Sequence, residues 1–146
     1  MSRSRISRPK EIAPPSTTPD AFEPNDSFET AGTLVAGENQ VHSIHQNGDI
    51  DYVTFTVDNL ADVTLSTTGV ANGDTVLRLF NDAFEEIAVD ATADSYSSIT
   101  IPEMAAGTYY ASVASQTLPE MITSYTLALD VLEYPTAPND LSVTPG

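Results

Sequence analysis

The chain has 146 residues and a mass of 15.6 kDa, about the size of one ordinary domain. Its net charge of −16 repels nucleic acid and anionic membrane surfaces, so we expect neither as a partner. Because the sequence contains no cysteine, disulfides, zinc–thiolate sites and iron–sulfur clusters are excluded.

The charge is unevenly distributed along the chain. Four of the five basic residues lie within the first ten positions, and Arg78 is the only one after them. Residues 11–146 therefore carry 21 acidic side chains against one basic side chain. A body this acidic is suited to high salt, which screens its self-repulsion, or to binding divalent cations. Both interpretations remain open from composition.

Both ends of the sequence differ from its middle. Residues 1–19 combine scattered arginines with prolines and a Ser/Thr cluster, which predicts a flexible arm or linker. No apolar run follows the arginines, so no cleavable secretory signal is recognised, and no stretch is long enough to span a membrane. Residues 134–146 are also rich in proline and predict a flexible tail. The predicted domain is residues 20–133.

Within this domain apolar residues alternate with polar ones, and turn residues separate the alternating segments. A single helical turn is predicted over residues 27–31, capped by Asp26 with Glu29 as capping-box partner. The rest predicts an all-β fold, an antiparallel β-sandwich of about eight or nine strands. The strands are expected at residues 33–35, 41–44, 52–57, 63–66, 77–79, 87–89, 99–101, 108–115 and 125–131.

Oxygen ligands are concentrated just before the first strand. Glu23, Asn25 and Asp26 fall within four positions, and such ligands suit calcium. Since Ca²⁺ takes about six to eight oxygens, a second segment must contribute. Equally compatible with the local sequence is a capped turn, in which these side chains bond backbone amides.

Asp49 and Asp51 are the candidates for the second segment. They lie two residues apart at the start of a predicted strand, and Asp51 shares its face with Val53 and Phe55. This spacing directs a carboxylate towards the interior, where it needs a cation or several donors. The alternative is an Asx turn at the start of the strand.

The remaining candidates concern catalysis and binding. His42 and His45 lie three apart in a predicted strand, so they should point to opposite faces, and we interpret them as surface or half-buried side chains. No catalytic motif is present, so an enzyme is not expected. Tyr52 and Tyr110 fall on the face opposite the core and form either a ligand-binding platform or a surface that another element covers.

Five segments in order resemble the bacterial pre-peptidase C-terminal domain family. They are Glu-Pro-Asn-Asp at 23–26, Gly-Asp-Ile-Asp-Tyr at 48–52, Asp-Thr-Val-Leu-Arg-Leu at 74–79, Ala-Gly-Thr-Tyr-Tyr at 106–110 and Ser-Tyr-Thr-Leu at 124–127. The resemblance implies a jelly-roll-like β-sandwich without catalytic activity, appended to secreted proteases and other exoenzymes. It further implies a role in substrate attachment, secretion or maturation, and an extracellular or cell-surface location.

The collagen-binding domains of clostridial collagenases are similar, and their linker and loop residues bind calcium. By position, the resemblance implies Glu23, Asn25 and Asp26 as linker ligands and Asp49 and Asp51 as loop ligands. Ala21 departs from the pattern, because those domains carry another acidic residue there. Asp20 could partly substitute for it, and one calcium ion or none is implied. Expected partners are a neighbouring catalytic domain or exoenzyme and a protein or polysaccharide surface, with the chain itself monomeric.

The alternative function is a metal-free structural or chaperone-like domain whose acidity serves solubility. A free-standing hydrolase would need a catalytic constellation that the sequence does not contain. The two remaining hypotheses differ in one observable, which is a stabilising response to calcium.

Overall fold

The computed structural model describes residues 20–45, 49–69, 74–92, 96–116 and 121–135. The predicted arm, most of the predicted tail and Gly48 of the matched motif lie outside them. Among the described residues, no helix is long and apolar enough to cross a bilayer. These residues form one 3₁₀ turn (Phe28–Thr30) and the strands β1 (Gly32–Thr33), β2 (Asn39–Ile44), β3 (Ile50–Val57), β4 (Ala61–Gly69), β5 (Thr75–Phe80), β6 (Glu86–Asp90), β7 (Ser98–Met104), β8 (Gly107–Ser115) and β9 (Ile122–Glu133).

The strands form two sheets, which confirms the predicted sandwich. One sheet has the order β1-β3-β8-β5-β6 and the other the order β2-β9-β4-β7. All pairs are antiparallel except β1 with β3, which is a two-residue parallel pair. Consecutive strands mostly lie in opposite sheets, so the chain crosses repeatedly between the layers, as in a jelly roll.

The period-two pattern of each strand decides which side chains enter the space between the sheets. In β3 the alternation places Asp51, Val53, Phe55 and Val57 inside, as predicted. The buried apolar residues form one continuous core between the sheets, and they are Leu34, Ile44, Val53, Phe55, Val57, Ala61, Val63, Leu65, Leu77, Leu79, Ile99, Met104, Ala111, Val113, Ile122, Tyr125, Leu127 and Leu129.

The predicted helical turn is present, but its cap is different. The turn begins after Ser27 rather than Asp26, and the backbone N–H of Ser27 donates to the Thr30 hydroxyl over 3.1 Å. Thr30 therefore takes the position in the capping box that we expected Glu29 to take. The difference leaves the Asp26 side chain available for other contacts in the domain.

Gly69 lies where β4 passes close to β9, and we predict that it does not tolerate a side chain. A Cβ atom at residue 69 would lie 2.8 Å from the backbone oxygen of Ser124 and 2.9 Å from Tyr125 Cα. Because both are backbone atoms, the two strands would have to separate. Gly69→Ala should lower the free energy of unfolding by about 1–3 kcal/mol, measured by urea denaturation.

Gly32 provides the matched control for this prediction, since a Cβ atom there would meet nothing within 4 Å. Gly32→Ala should leave stability within about 0.5 kcal/mol of the wild type. Equal effects of the two substitutions would contradict the close approach of β4 and β9.

Candidate metal centre

Residues 20–26, which we call the linker segment, lie across the end of β2 and the start of β3. The backbone N–H of Tyr52 in β3 donates to the Asn25 carbonyl over 2.7 Å. In β2, the backbone N–H of Ser43 donates to Asp20 Oδ2 over 2.8 Å. These two bonds attach the linker segment to both sheets. The carboxylates of the linker segment consequently lie close to Asp49 and Asp51 at the start of β3.

Oxygen atoms converge around the Asn25 side chain, which is fully buried. The Asn25 amide is oriented with its nitrogen towards them, and this nitrogen donates to both Glu23 carboxylate oxygens over 3.2 Å and to Asp51 Oδ1 over 3.1 Å. In the opposite orientation the amide oxygen would face the same three acceptors, and a cation between them would make that contact favourable.

Asp49 and Asp26 extend the same group of oxygens. Asp49 is 5% exposed, and its Oδ2 accepts the backbone N–H of His45 over 3.0 Å. Its other oxygen, Oδ1, is buried without a hydrogen-bond partner. Asp26 is exposed and close enough to Asp49 to raise the pKa of that carboxyl. The structure therefore brings the five residues predicted as calcium ligands to one place.

The carboxyl groups of this site disfavour one another's ionisation. Burial, together with the charges of Asp49 and Asp20, raises the pKa of Asp51 to about 9, although the Tyr125 hydroxyl opposes the shift. Burial is also the main cause of the raised pKa values of Glu23 and Asp49. A bound cation would remove much of this cost, because it favours the ionised form of each ligand.

No basic side chain serves as that cation among the residues that the structure describes. The only arginine or lysine after Lys10 is Arg78, which pairs with Glu86 over 2.7 Å on β5 and β6. Both of these side chains are more than a third exposed. Within the part of the chain that the structure describes, the compensating charge at the linker segment would therefore come from a histidine, a proton or a metal ion.

The sequence-based interpretation of the histidines was wrong for His42. This residue is 1% exposed, and its Nδ1 atom lies 3.6 Å from Asp20 Oδ2 and 3.9 Å from Asp51 Oδ2. His45 instead lies beside Asp49, with its Nδ1 atom 2.8 Å from Oδ2. An irregularity in the β2–β9 pairing between His42 and Ile44 interrupts the alternation on which the interpretation relied.

Tyr125, the first residue of the predicted strand 125–131, is a further residue of the site that the sequence analysis did not single out. It is fully buried, and its hydroxyl donates to Asp51 Oδ2 over 2.5 Å. A buried tyrosine hydroxyl usually has a hydrogen-bond partner. The strand alternation places both Tyr125 and Asp51 on inward faces, and this was the only indication in the sequence that the two could pair. The sequence could not show that β9 and β3 bring the two side chains together.

Tyr52 and Tyr110, the predicted ligand-binding tyrosines, are half-buried on the outer face of the five-stranded sheet. Phe28 of the 3₁₀ turn packs on both, with ring centroids 4.9 Å from Tyr52 and 5.6 Å from Tyr110. Phe84 stacks on Phe28 at 4.4 Å and contacts Tyr110 at 5.1 Å. Two phenylalanines thus cover much of the surface that the tyrosines would offer, and Phe84 is 46% exposed above them.

The fold is similar to that of two solved bacterial structures. The pre-peptidase C-terminal domain of a collagenase from Bacillus anthracis has 15% identity and a TM-score of 0.56, over 68% of this chain and 94% of that domain. PliG from Aeromonas hydrophila, a periplasmic inhibitor of g-type lysozyme, has 17% identity and a TM-score of 0.50, over 69% of this chain and 95% of that protein. No family model matches the chain. No curated protein matches it either.

Proposed function

We propose that this chain is a non-catalytic accessory module that binds one calcium ion through Glu23, Asn25, Asp26, Asp49 and Asp51. The fold it shares with the collagenase pre-peptidase domain supports an accessory role. In this role the ion attaches the linker segment to the start of β3. It thereby orders the path of the chain towards a neighbouring domain and stabilises the sandwich by mass action.

The convergence of buried carboxylates on the Asn25 amide is the observation that carries the calcium proposal. Both Glu23 carboxylate oxygens and Asp51 Oδ1 lie 3.1–3.2 Å from this amide group, which donates to them from its nitrogen. Asp49 Oδ1 is buried without a hydrogen-bond partner, and the one arginine or lysine among the described residues, Arg78, pairs with Glu86 instead. Carboxylate and amide oxygens are ligands that Ca²⁺ prefers, and irregular geometry from separate segments suits its flexible coordination. Water would complete the six to eight ligands, because five side chains supply too few unless some are bidentate.

The biological setting of the module follows from the same proposal. Extracellular calcium-binding modules have dissociation constants of about 10⁻⁴–10⁻³ M, so the site would be occupied outside the cell. We place the module on or outside the cell, attached to or acting with an exoenzyme. The aromatic cluster of Phe28, Phe84, Tyr52 and Tyr110 is the surface that would contact a protein or polysaccharide.

A thermal melt tests the proposal directly. At about 10–100 times the dissociation constant, Ca²⁺ should stabilise the chain by about 1.4–2.7 kcal/mol relative to EDTA. For a domain of this size, the melting temperature should then rise by about 5–15 °C. Mg²⁺ at equal ionic strength should give a much smaller rise, because it demands near-ideal octahedral geometry and gives up its water reluctantly.

Two matched variants localise the response. Asp49→Asn removes one ligand charge from a buried position and should abolish most of the calcium-dependent rise. Asp82→Asn removes the same charge from an exposed position in the β5–β6 turn and should leave the rise unchanged. Equal rises with Ca²⁺ and Mg²⁺ would favour the metal-free structural domain instead. An unaltered rise in Asp49→Asn would contradict the assignment of Asp49 as a calcium ligand.

A further inference from the structure

The imidazole of His42 is held in one orientation by its neighbours. Its Nε2 atom lies 3.0 Å from the side-chain oxygen of Gln40. The Gln40 amide is itself oriented, because its nitrogen donates to the Thr33 carbonyl over 2.7 Å. Phe22 and Tyr125 stack against the imidazole at centroid distances of 4.6 and 5.6 Å. Nε2 therefore carries a proton that it donates to Gln40.

This tautomer leaves a lone pair on Nδ1 in the neutral ring. Nδ1 is buried and has no hydrogen-bond partner. It is directed at Asp20 Oδ2, 3.6 Å away, and at Asp51 Oδ2, 3.9 Å away, both of which are beyond hydrogen-bonding distance. Burial lowers the pKa of His42 and favours the neutral ring, although the Asp20 charge opposes that shift.

The two carboxylate oxygens nearest His42 Nδ1 each accept a hydrogen bond from a neighbouring residue. The Ser43 backbone N–H donates to Asp20 Oδ2, and the Tyr125 hydroxyl donates to Asp51 Oδ2. Each of the three residues thus has a supporting hydrogen bond from outside the group, which for His42 is made by Nε2. Such outer contacts are typical of metal ligands, and a histidine ligand in particular usually donates its other N–H to a carbonyl or carboxylate.

The separations fit a small transition-metal ion. The three atoms lie within 4.8 Å of one another. A tetrahedron with bonds of about 2.0–2.1 Å has edges of about 3.3–3.4 Å, so the His42 Nδ1–oxygen distances of 3.6 and 3.9 Å would each need to contract by about half an ångström or less. An imidazole nitrogen with carboxylate oxygens suits Zn²⁺ and similar ions, whereas Ca²⁺ takes oxygen ligands.

We propose that Asp20 Oδ2, His42 Nδ1 and Asp51 Oδ2 form a second metal site, which binds Zn²⁺ or a chemically similar transition-metal ion. Asp51 is shared between the two sites, since its Oδ1 faces Asn25 and its Oδ2 faces His42. The site does not depend on calcium being bound at the linker segment. It attaches Asp20 to β2 and β3 through one buried ion.

A second group of possible metal ligands, Glu23, His45 and Asp49, can be compared with the proposed Zn²⁺ site. Its donor atoms also lie within 4.8 Å of one another, but the His45 side chain is 15% exposed. Two of its members, Glu23 and Asp49, belong to the proposed calcium site. If Zn²⁺ bound there instead, the nitrogen that it coordinates would belong to His45.

Nitrogen NMR distinguishes the two groups, because the chain contains only two histidines. Tag-free ¹⁵N-labelled protein is titrated with Zn²⁺ after removal of metals, and the imidazole nitrogens are followed by long-range ¹H–¹⁵N correlation. We expect one equivalent to shift the lone-pair nitrogen of one ring. The same shift should persist in His45→Gln, which alters only the partly exposed histidine. It should be absent in His42→Gln.

Several results would overturn the second site. One is that no imidazole nitrogen responds to Zn²⁺, and another is that the response disappears in His45→Gln. Gln40→Leu adds an independent check, since loss of the acceptor for His42 Nε2 should weaken Zn²⁺ binding about 10–100-fold by calorimetry. The calcium melt is run without Zn²⁺, so failure of the calcium proposal and failure of this one are seen separately.

Discussion

In EDTA, the stability of the wild-type chain should fall as the pH rises from 7 to 9, and Asp51→Asn should remove most of that fall. The pKa of Asp51 is raised to about 9 in the folded chain, from an ordinary value of 3.8. The folded state therefore retains a proton that the unfolded state has lost. This contribution to stability is complete below pH 3.8 and disappears as the pH rises to about 9.

The expected slope is about 1.4 kcal/mol per pH unit for one proton, or about 2–3 kcal/mol between pH 7 and 9. The raised pKa values of Glu23 and Asp49 act in the same direction. His42 has a lowered pKa, so its effect has the opposite sign and ends above the unfolded value of 6.5. The interval from pH 7 to 9 consequently isolates the carboxyl groups.

Urea denaturation at each pH measures this dependence, with Asp82→Asn as the control for loss of an exposed charge. Asp82→Asn should keep the wild-type slope, whereas Asp51→Asn should change by less than about 1 kcal/mol over the interval. A flat wild-type curve would contradict the buried, proton-holding carboxyl. Calcium should reduce the slope, because a bound cation favours the ionised form.

Leu127→Ala should destabilise the domain by about 2–5 kcal/mol. Leu127 is 0% exposed in β9, an inner strand of the four-stranded sheet. It lies opposite Gln40 of β2 and Thr67 of β4. Shortening its side chain removes buried apolar contacts and leaves a cavity between the sheets, and both effects lower the free energy of unfolding.

Leu132, in the same strand, makes the matched control because it is 70% exposed. Leu132→Ala should change the free energy of unfolding by no more than about 0.5 kcal/mol. The urea midpoint of Leu127→Ala should fall while the m-value stays constant. Similar small effects from both substitutions would show that β9 does not face the core as described.

Most of the fold could be predicted because strand alternation is a local property. The pattern over residues 52–57 identifies β3 and the face on which Asp51 lies, and the structure confirms both. The parallel pairing of β1 with β3 could not be anticipated, since two residues carry no periodic signal. Nor could the cap at Ser27, because neighbouring Asp26 is an equally good capping residue.

The candidate site also has a part that the sequence predicts and a part that it does not. Glu23, Asn25 and Asp26 were recognisable as a dense run of oxygen ligands, and Asp49 and Asp51 as a second pair. His42 was misjudged because its partners, Asp20 and Asp51, are 22 and 9 residues away along the chain. Spacing within one strand carries no information on such contacts.

The sequence by itself determined the period of the strands, the acidity of the domain and the inward direction of Asp51. Only the tertiary structure decided that the linker segment, the end of β2, the start of β3 and Tyr125 of β9 meet at one place. The physical reason is that alternation depends on neighbours in the chain, whereas the composition of a buried site depends on which strands the two sheets bring together.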